Sequence, residues 1–112
     1  MSTRPLKSER RIRLEQSLSE DPSDTFLRYG LALQCLREGD IQEGRDRLQA
    51  LIADHPNDQV AAHQQLGQSY LDSGDCDAAR AILEAGISLA NRLGDWHASA
   101  EMQQLLESSR SG

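Results

Sequence analysis

The chain has 112 residues, a formal net charge of −6 and 4% aromatic residues. That length fits one domain, residues 1–112, able to bury about two-thirds of its unfolded surface without disulfide or metal staples. The acid excess disfavours a general phosphate-backbone binder, and no apolar run is long enough for a membrane span or a signal-peptide core. With three prolines and with Ala, Leu, Gln, Glu, Asp and Arg abundant, the composition favours an all-α fold, since straight-chain residues lose little rotamer freedom in a helix. The cytoplasm is the expected compartment.

The first predicted element is a helix over residues 8–20 carrying Ile12, Leu14 and Leu18. Its beginning is basic: Arg4, Lys7, Arg10, Arg11 and Arg13 stand against Glu9 and Glu15. This run reads as a solvated helix face. The alternative is a docking arm for an acidic partner, a membrane surface or nucleic acid. Residues 21–56 read as two antiparallel helices. Asp21 caps the first, with Pro22 at its first position and Asp24 meeting unpaired amides. Gly39 closes it in a left-handed conformation. Asp40 then caps the second, Glu43 completes a capping-box-like pattern, and the helix stops before Pro56. Residues 57–93 repeat the scheme, with Gly74 as the stop and Asp75 as the cap. Residues 94–109 hold a last helix, capped by Asp95 and carrying Ala98, Met102, Leu105 and Leu106. Residues 109–112 and the first few residues are expected to be disordered.

The two middle segments are copies of one unit. Shifting the sequence by 35 positions over residues 31–52 aligns eight identities: Leu31 with Leu66, Leu36 with Leu71, Gly39 with Gly74, Asp40 with Asp75, Arg45 with Arg80, Leu48 with Leu83, Ala50 with Ala85 and Ile52 with Ile87. Ala32 aligns with Gly67 and Gly44 with Ala79, which keeps those positions small. Leu27, Leu31 and Cys35 share one face of their helix, while Phe26, Tyr29, Leu33 and Leu36 share another, so that helix needs neighbours on two sides. Small residues at Gly44, Gly67, Ala79 and Gly86 allow close helix axes. Two repeats bury too little alone, so the flanking helices are expected to cap the stack.

No chemistry of catalysis is legible. His55, His63 and His97 lack the spacing that puts two ligands on one helix face and read as helix-surface or loop histidines, so no metal or cofactor is expected. No carboxylate pair, nucleophile elbow or phosphate loop stands out. Cys35 and Cys76 read as two small buried hydrophobes. Trp96 reads as a packing residue over the open end of the second helix of residues 57–93, with a binding anchor as the alternative.

The residues that carry the repeat also carry a resemblance. Leu31-Ala32, Gly39-Asp40, Gly44, Leu48, Leu51 and Pro56, and then Leu66-Gly67, Tyr70, Gly74-Asp75, Ala79 and Leu83, resemble the tetratricopeptide repeat, over residues 21–92 of this chain. The chain resembles small two-repeat members of bacterial type. It departs from the pattern at Arg28 and His63, where a large aromatic is usual, at Gly86, where alanine is common, and at Asn91, where a closing proline is expected. The resemblance implies antiparallel helix pairs in an α-solenoid with a right-handed superhelix. It also implies a non-catalytic scaffold that binds a protein or peptide in a concave groove lined by the first helix of each pair. By register, that groove takes Phe26, Tyr29, Gly30, Leu33 and Arg37 from one unit and Ala61, Gln64, Gln65, Gln68 and Asp72 from the other. Glutamines stand where carboxylate-gripping members carry lysines and asparagines. The alternative is a self-associating structural subunit, monomer or weak homodimer in solution. Nucleic-acid binding through residues 4–13 lacks interleaved aromatics.

Overall fold

A computed structural model describes residues 7–111; the reading of the first few residues as disordered falls mainly outside them. Six helices and no strand are found among the described residues: α1 (Glu9–Glu20), α2 (Thr25–Arg37), α3 (Ile41–Asp54), α4 (Val60–Asp72), α5 (Cys76–Leu93) and α6 (Trp96–Ser111). The chain divides into two compact units, Met1–Leu48 and Gln49–Gly112.

Three turns share one mechanism. Gly39, Gly74 and Gly94 have φ of 83°, 78° and 74°, the left-handed region that costs glycine no Cβ clash. At each, the glycine amide and the next amide bond back onto the preceding turn. Gly39 N donates to Leu36 O at 3.1 Å and Asp40 N to Cys35 O at 2.9 Å; Gly74 with Asp75, and Gly94 with Asp95, repeat the pattern. This satisfies carbonyls that the helix end leaves open. The aspartate that follows then opens the next helix: Asp75 accepts from Ala78 N and Asp95 from Ala98 N, both at 3.2 Å.

Other boundaries shift. Asp24, not Asp21, caps α2, accepting from Leu27 N at 3.0 Å. Asp21 instead closes α1, and its carbonyl accepts from Asp24 N, so Pro22 and Ser23 lie in a turn. In the second repeat α4 begins only at Val60, after Gln59, which makes no side-chain cap bond. At the other end residues 109–111 continue α6 as helix rather than fraying.

In the first unit α1 packs on α2, with Leu31, Ala32, Cys35 and Leu48 fully or almost fully buried. Gly44 of α3 is pressed against α2: a Cβ there would come within 2.6 Å of Leu36 Cδ2 and 3.1 Å of the Ala32 carbonyl. In the second unit α5 packs against both α4 and α6, and α6 also reaches α4. Its core gathers Val60, Ala79, Leu83, Leu89, Met102 and Leu106. There the tight position is Gly67 of α4, where a Cβ would overlap the branch of Leu83. Each pair thus sets one glycine against a larger partner, on its second helix in the first repeat and on its first helix in the second.

Candidate functional site

The register-derived residues are found on two helices. Phe26, Tyr29, Leu33 and Arg37 recur every three to four residues on α2 in the first unit. Phe26 is 82% exposed, Arg37 is exposed, and Tyr29 and Leu33 are half-buried. Gly30, beside this stripe, is covered by α1: a Cβ there would meet Leu14 Cδ2 at 3.7 Å. Gln64, Gln65, Gln68 and Asp72 lie on α4 in the second unit, the glutamines half-buried and Asp72 exposed. Two of these amides already have partners. Gln64 Nε2 donates to Glu101 Oε2 of α6 at 2.7 Å, and Gln68 Nε2 to Asp72 Oδ1 at 2.8 Å.

Several side chains fall elsewhere than expected. Trp96 is 67% exposed and stands beside the half-exposed Leu93 at the α5–α6 turn, so it does not seal the end of α5. Cys76 is exposed at the first position of α5, and only Cys35 is buried; both are free thiols. His63 is buried, its Nδ1 2.7 Å from Gln59 O. Its Cβ lies against Gly86 of α5, only 2.7 Å from where a Cβ at that glycine would stand. A shallow cleft of about 280 Å³ in the second unit is lined by Gln68, Leu71, Cys76, Leu105, Ser108 and Ser109. Among the described residues no three His, Cys, Asp or Glu side chains converge as a metal cage, and no helix is long and apolar enough to cross a membrane.

The largest departure from the solvated basic face is Arg11, which is 4% exposed. Its Nη2 lies 3.0 Å from both Asp40 Oδ2 and Glu43 Oε2, and its Nη1 3.7 Å from Glu38 Oε1. Ser8, which caps α1, donates to Glu38 Oε2 at 2.6 Å, as Gln34 Nε2 does at 2.8 Å. Glu43 Oε2 also receives Arg47 Nε at 3.0 Å and Cys35 Sγ at 3.4 Å. Asp40 and Glu43 therefore carry an electrostatic role beyond the capping one read from the sequence. Burial pushes the Arg11 pKa down, but the hydrogen bonds it donates to Asp40 and Glu43 and nearby negative charge outweigh it and raise the pKa. Burial, with the bond to Glu43, pushes the Cys35 thiol up to about 11, so it stays protonated and unreactive. Two other basic residues at this end pair with acids of α1, Lys7 with Glu15 at 2.8 Å and Arg13 with Glu9 at 3.6 Å.

Acid should weaken this cluster. Burial tends to raise the Glu43 pKa, but the bonds from Arg47 and Cys35 and the charges of Arg47 and Arg11 prevail and lower it from its usual 4.5 to about 2. Bonds from Ser8 and Gln34 lower that of Glu38 as well. Between those values the unfolded chain binds more protons than the folded one, so stability rises with pH. The contribution of Glu43 is complete above about pH 4.5 and is lost as pH falls toward 2. Urea midpoints measured from about pH 6 to about pH 2 should fall over that window. A Glu43→Gln chain should start lower and fall less; identical profiles for the two chains would contradict the assignment.

The fold has close counterparts among known proteins. A family model described as tetratricopeptide repeat matches residues 36–107, and the chain belongs to the tetratricopeptide repeat family, whose domains serve generally as protein-interaction scaffolds. A solution structure of a tetratricopeptide repeat domain protein from Salinibacter ruber is similar at 25% identity, with a TM-score of 0.76 over 81% of this chain and 91% of that one. A protein from Bordetella parapertussis shares the fold at 24% identity, with a TM-score of 0.81 over 95% of this chain and 90% of that one. A search of curated proteins found no match.

Proposed function

We propose that the chain is a non-catalytic adaptor that holds a protein or peptide on the exposed faces of its first-helix surfaces, Phe26, Tyr29, Leu33 and Arg37 on α2 and Gln64, Gln65, Gln68 and Asp72 on α4. The observation that carries this reading is Phe26. It is 82% exposed in the first turn of a helix whose other faces are held by α1 and by Gly44 of α3. A large aromatic on a rigid, packed support loses little entropy on binding and buries much area, which is the profile of an interface hot spot. Half-buried Leu33 and the terminal guanidinium of Arg37 continue the stripe toward a polar end. The glutamine amides of α4 offer donors and acceptors suited to a peptide backbone. Two free cysteines, one of them exposed, suit a reducing compartment such as the cytoplasm.

The test compares captured proteins rather than a single capture. Wild-type, Phe26→Ala, Gln68→Ala and Trp96→Ala chains are used as baits in lysate of the source cell, with mass spectrometry as the readout. A partner retained by Trp96→Ala and lost with Phe26→Ala is the expected result. Its affinity for Phe26→Ala should drop by about 2 kcal/mol, roughly 30-fold, with the helical circular dichroism unchanged. Gln68→Ala should weaken the same partner less, because the Gln68 amide can trade its bond to Asp72 for one to the ligand. Loss confined to Trp96→Ala would move the binding surface to the α5–α6 turn and refute the α2 assignment. Light scattering that shows a concentration-dependent dimer, abolished by Phe26→Ala, would instead make a second copy the partner.

A further inference from the structure

α1 differs from the other helices in how it is held. Its one buried side chain is charged, Ile12 is 43% exposed, and Leu14 and Leu18 are only half-buried. At 12 residues it is too short to persist alone in water. Its attachment runs along one stripe, three residues apart. Ser8 meets Gln34 and Glu38, Arg11 meets Glu38, Asp40 and Glu43, and Leu14 lies over Gly30. The matching residues Gly30 and Gln34 of α2 and Glu38 at its C-cap recur every four. The result is an antiparallel helix seated by one small-residue notch and one acidic cup. The fit in the cup is incomplete: Arg11 Nε is buried without a partner. A carboxylate cup around a guanidinium reads geometry as well as charge. Carboxylates still open to water, as Asp40 and Glu43 are, hold it with an interaction that salt screens.

We propose that the face of α2 and the start of α3 beneath α1 form a recognition site for a helix bearing Ser-x-x-Arg-x-x-Leu, and that α1 is its occupant in the free chain, displaced by a partner helix of the same spacing. This surface is separate from the Phe26 stripe and does not depend on it. Charge complementarity selects the occupant: the three carboxylates outnumber the two guanidinium groups that meet them, Arg11 and Arg47, and the net negative charge left favours a cationic helix and repels an acidic one.

The test uses the full chain in two measurements. In wild-type protein, amide hydrogen exchange should show α1 opening locally, at least about tenfold faster than α5, and faster still as salt is raised to about 1 M while α5 is unchanged. In the Arg11→Ala chain, α1 should lose its protection while α4 to α6 keep theirs. A synthetic peptide of residues 7–21 should then bind that chain saturably and with salt sensitivity, and the same peptide carrying the Arg11→Ala change should bind at least about tenfold more weakly. Exchange of α1 only together with α5 would overturn the proposal, because α1 would then be part of the cooperative core. So would an Arg11→Ala chain that keeps α1 protected and ignores the wild-type peptide. If Arg11→Ala fails to fold, the wild-type exchange decides alone. If instead the wild-type chain dimerises with concentration and α1 becomes more protected as it does, the occupant is a second copy and the partner-helix assignment falls.

Discussion

Replacing Leu83 with alanine is expected to cost about 2–5 kcal/mol of stability, the range for a truncated core leucine. Leu83 has no exposed surface and belongs to the core of the second unit. Leu31, Leu48 and Leu66, at the matching positions of the repeat, are equally enclosed, at 1%, 0% and 0% exposure. Each should fall in the same range by urea denaturation. Values near zero at all four would contradict the 35-residue register. Leu83 carries a sharper test through its neighbour. A Cβ at Gly67 would overlap the Leu83 branch, with Ile82 Cγ2 3.3 Å away. Gly67→Ala alone should therefore destabilise, since overpacking costs about 1–3 kcal/mol against about 1 kcal/mol gained in helix propensity. In the Leu83→Ala background the overlap with Leu83 is gone, Ile82 need give only slightly, and the same change should stabilise. The coupling of about 1–3 kcal/mol is measured by the double-mutant cycle. Additive effects would mean that the close approach of α4 and α5 does not depend on Gly67.

Gly86→Ala should destabilise by about 1–3 kcal/mol, and Gly86→Val by more, because a β-branched side chain also resists the helix. A Cβ at Gly86 would stand 2.7 Å from both His63 Cβ and Met102 Sδ. The position is thus one where α4, α5 and α6 meet closely. The two obstructions differ in kind. Met102 is fully buried but flexible, so Met102→Ala opens its side. His63 obstructs through its Cβ, which alanine retains. His63→Ala should therefore fail to rescue Gly86→Ala, while Met102→Ala should recover part of the loss. Thermal unfolding of the three single alanine variants and the two double variants separates these outcomes. Rescue by His63→Ala would show that the imidazole, not the backbone distance, sets the fit.

The departure from the repeat pattern at Gly86 and the one at His63 are therefore linked. A missing methyl on α5 leaves room for the Cβ of His63 on α4 to stand close, and the imidazole it carries is buried. Read one residue at a time, His63 has the composition of a surface histidine. Its spacing does point inward, since Val60, His63 and Gly67 share the buried face of α4, but the room beside it is set by another helix. The two cysteines make a similar contrast. Cys35 lies one turn after Leu31 on the buried face of α2, whereas Cys76 sits at the first position of α5, where the chain has only just left the turn.

Local physics determined much of this protein from sequence alone. The three Gly-Asp pairs close helices because glycine tolerates positive φ, and Asp75 and Asp95 open the next ones by accepting from free amides; both effects act within a few residues. The recurrence of leucine at 35 residues located the core, because equivalent leucines must meet equivalent partners. The expected stripe of α2 was legible for the same reason, although its role in binding is proposed. Tertiary structure alone decided the fate of Arg11. In the sequence it is one of several alternating charges in a short helix, no different from Arg10 or Arg13. It is buried because Glu38, Asp40 and Glu43, some thirty residues away, are brought to its guanidinium by the Gly39 turn. A charge can leave water only where its partners already stand, and the position of those partners is set by the packing of α1 on α2 rather than by any pattern along α1.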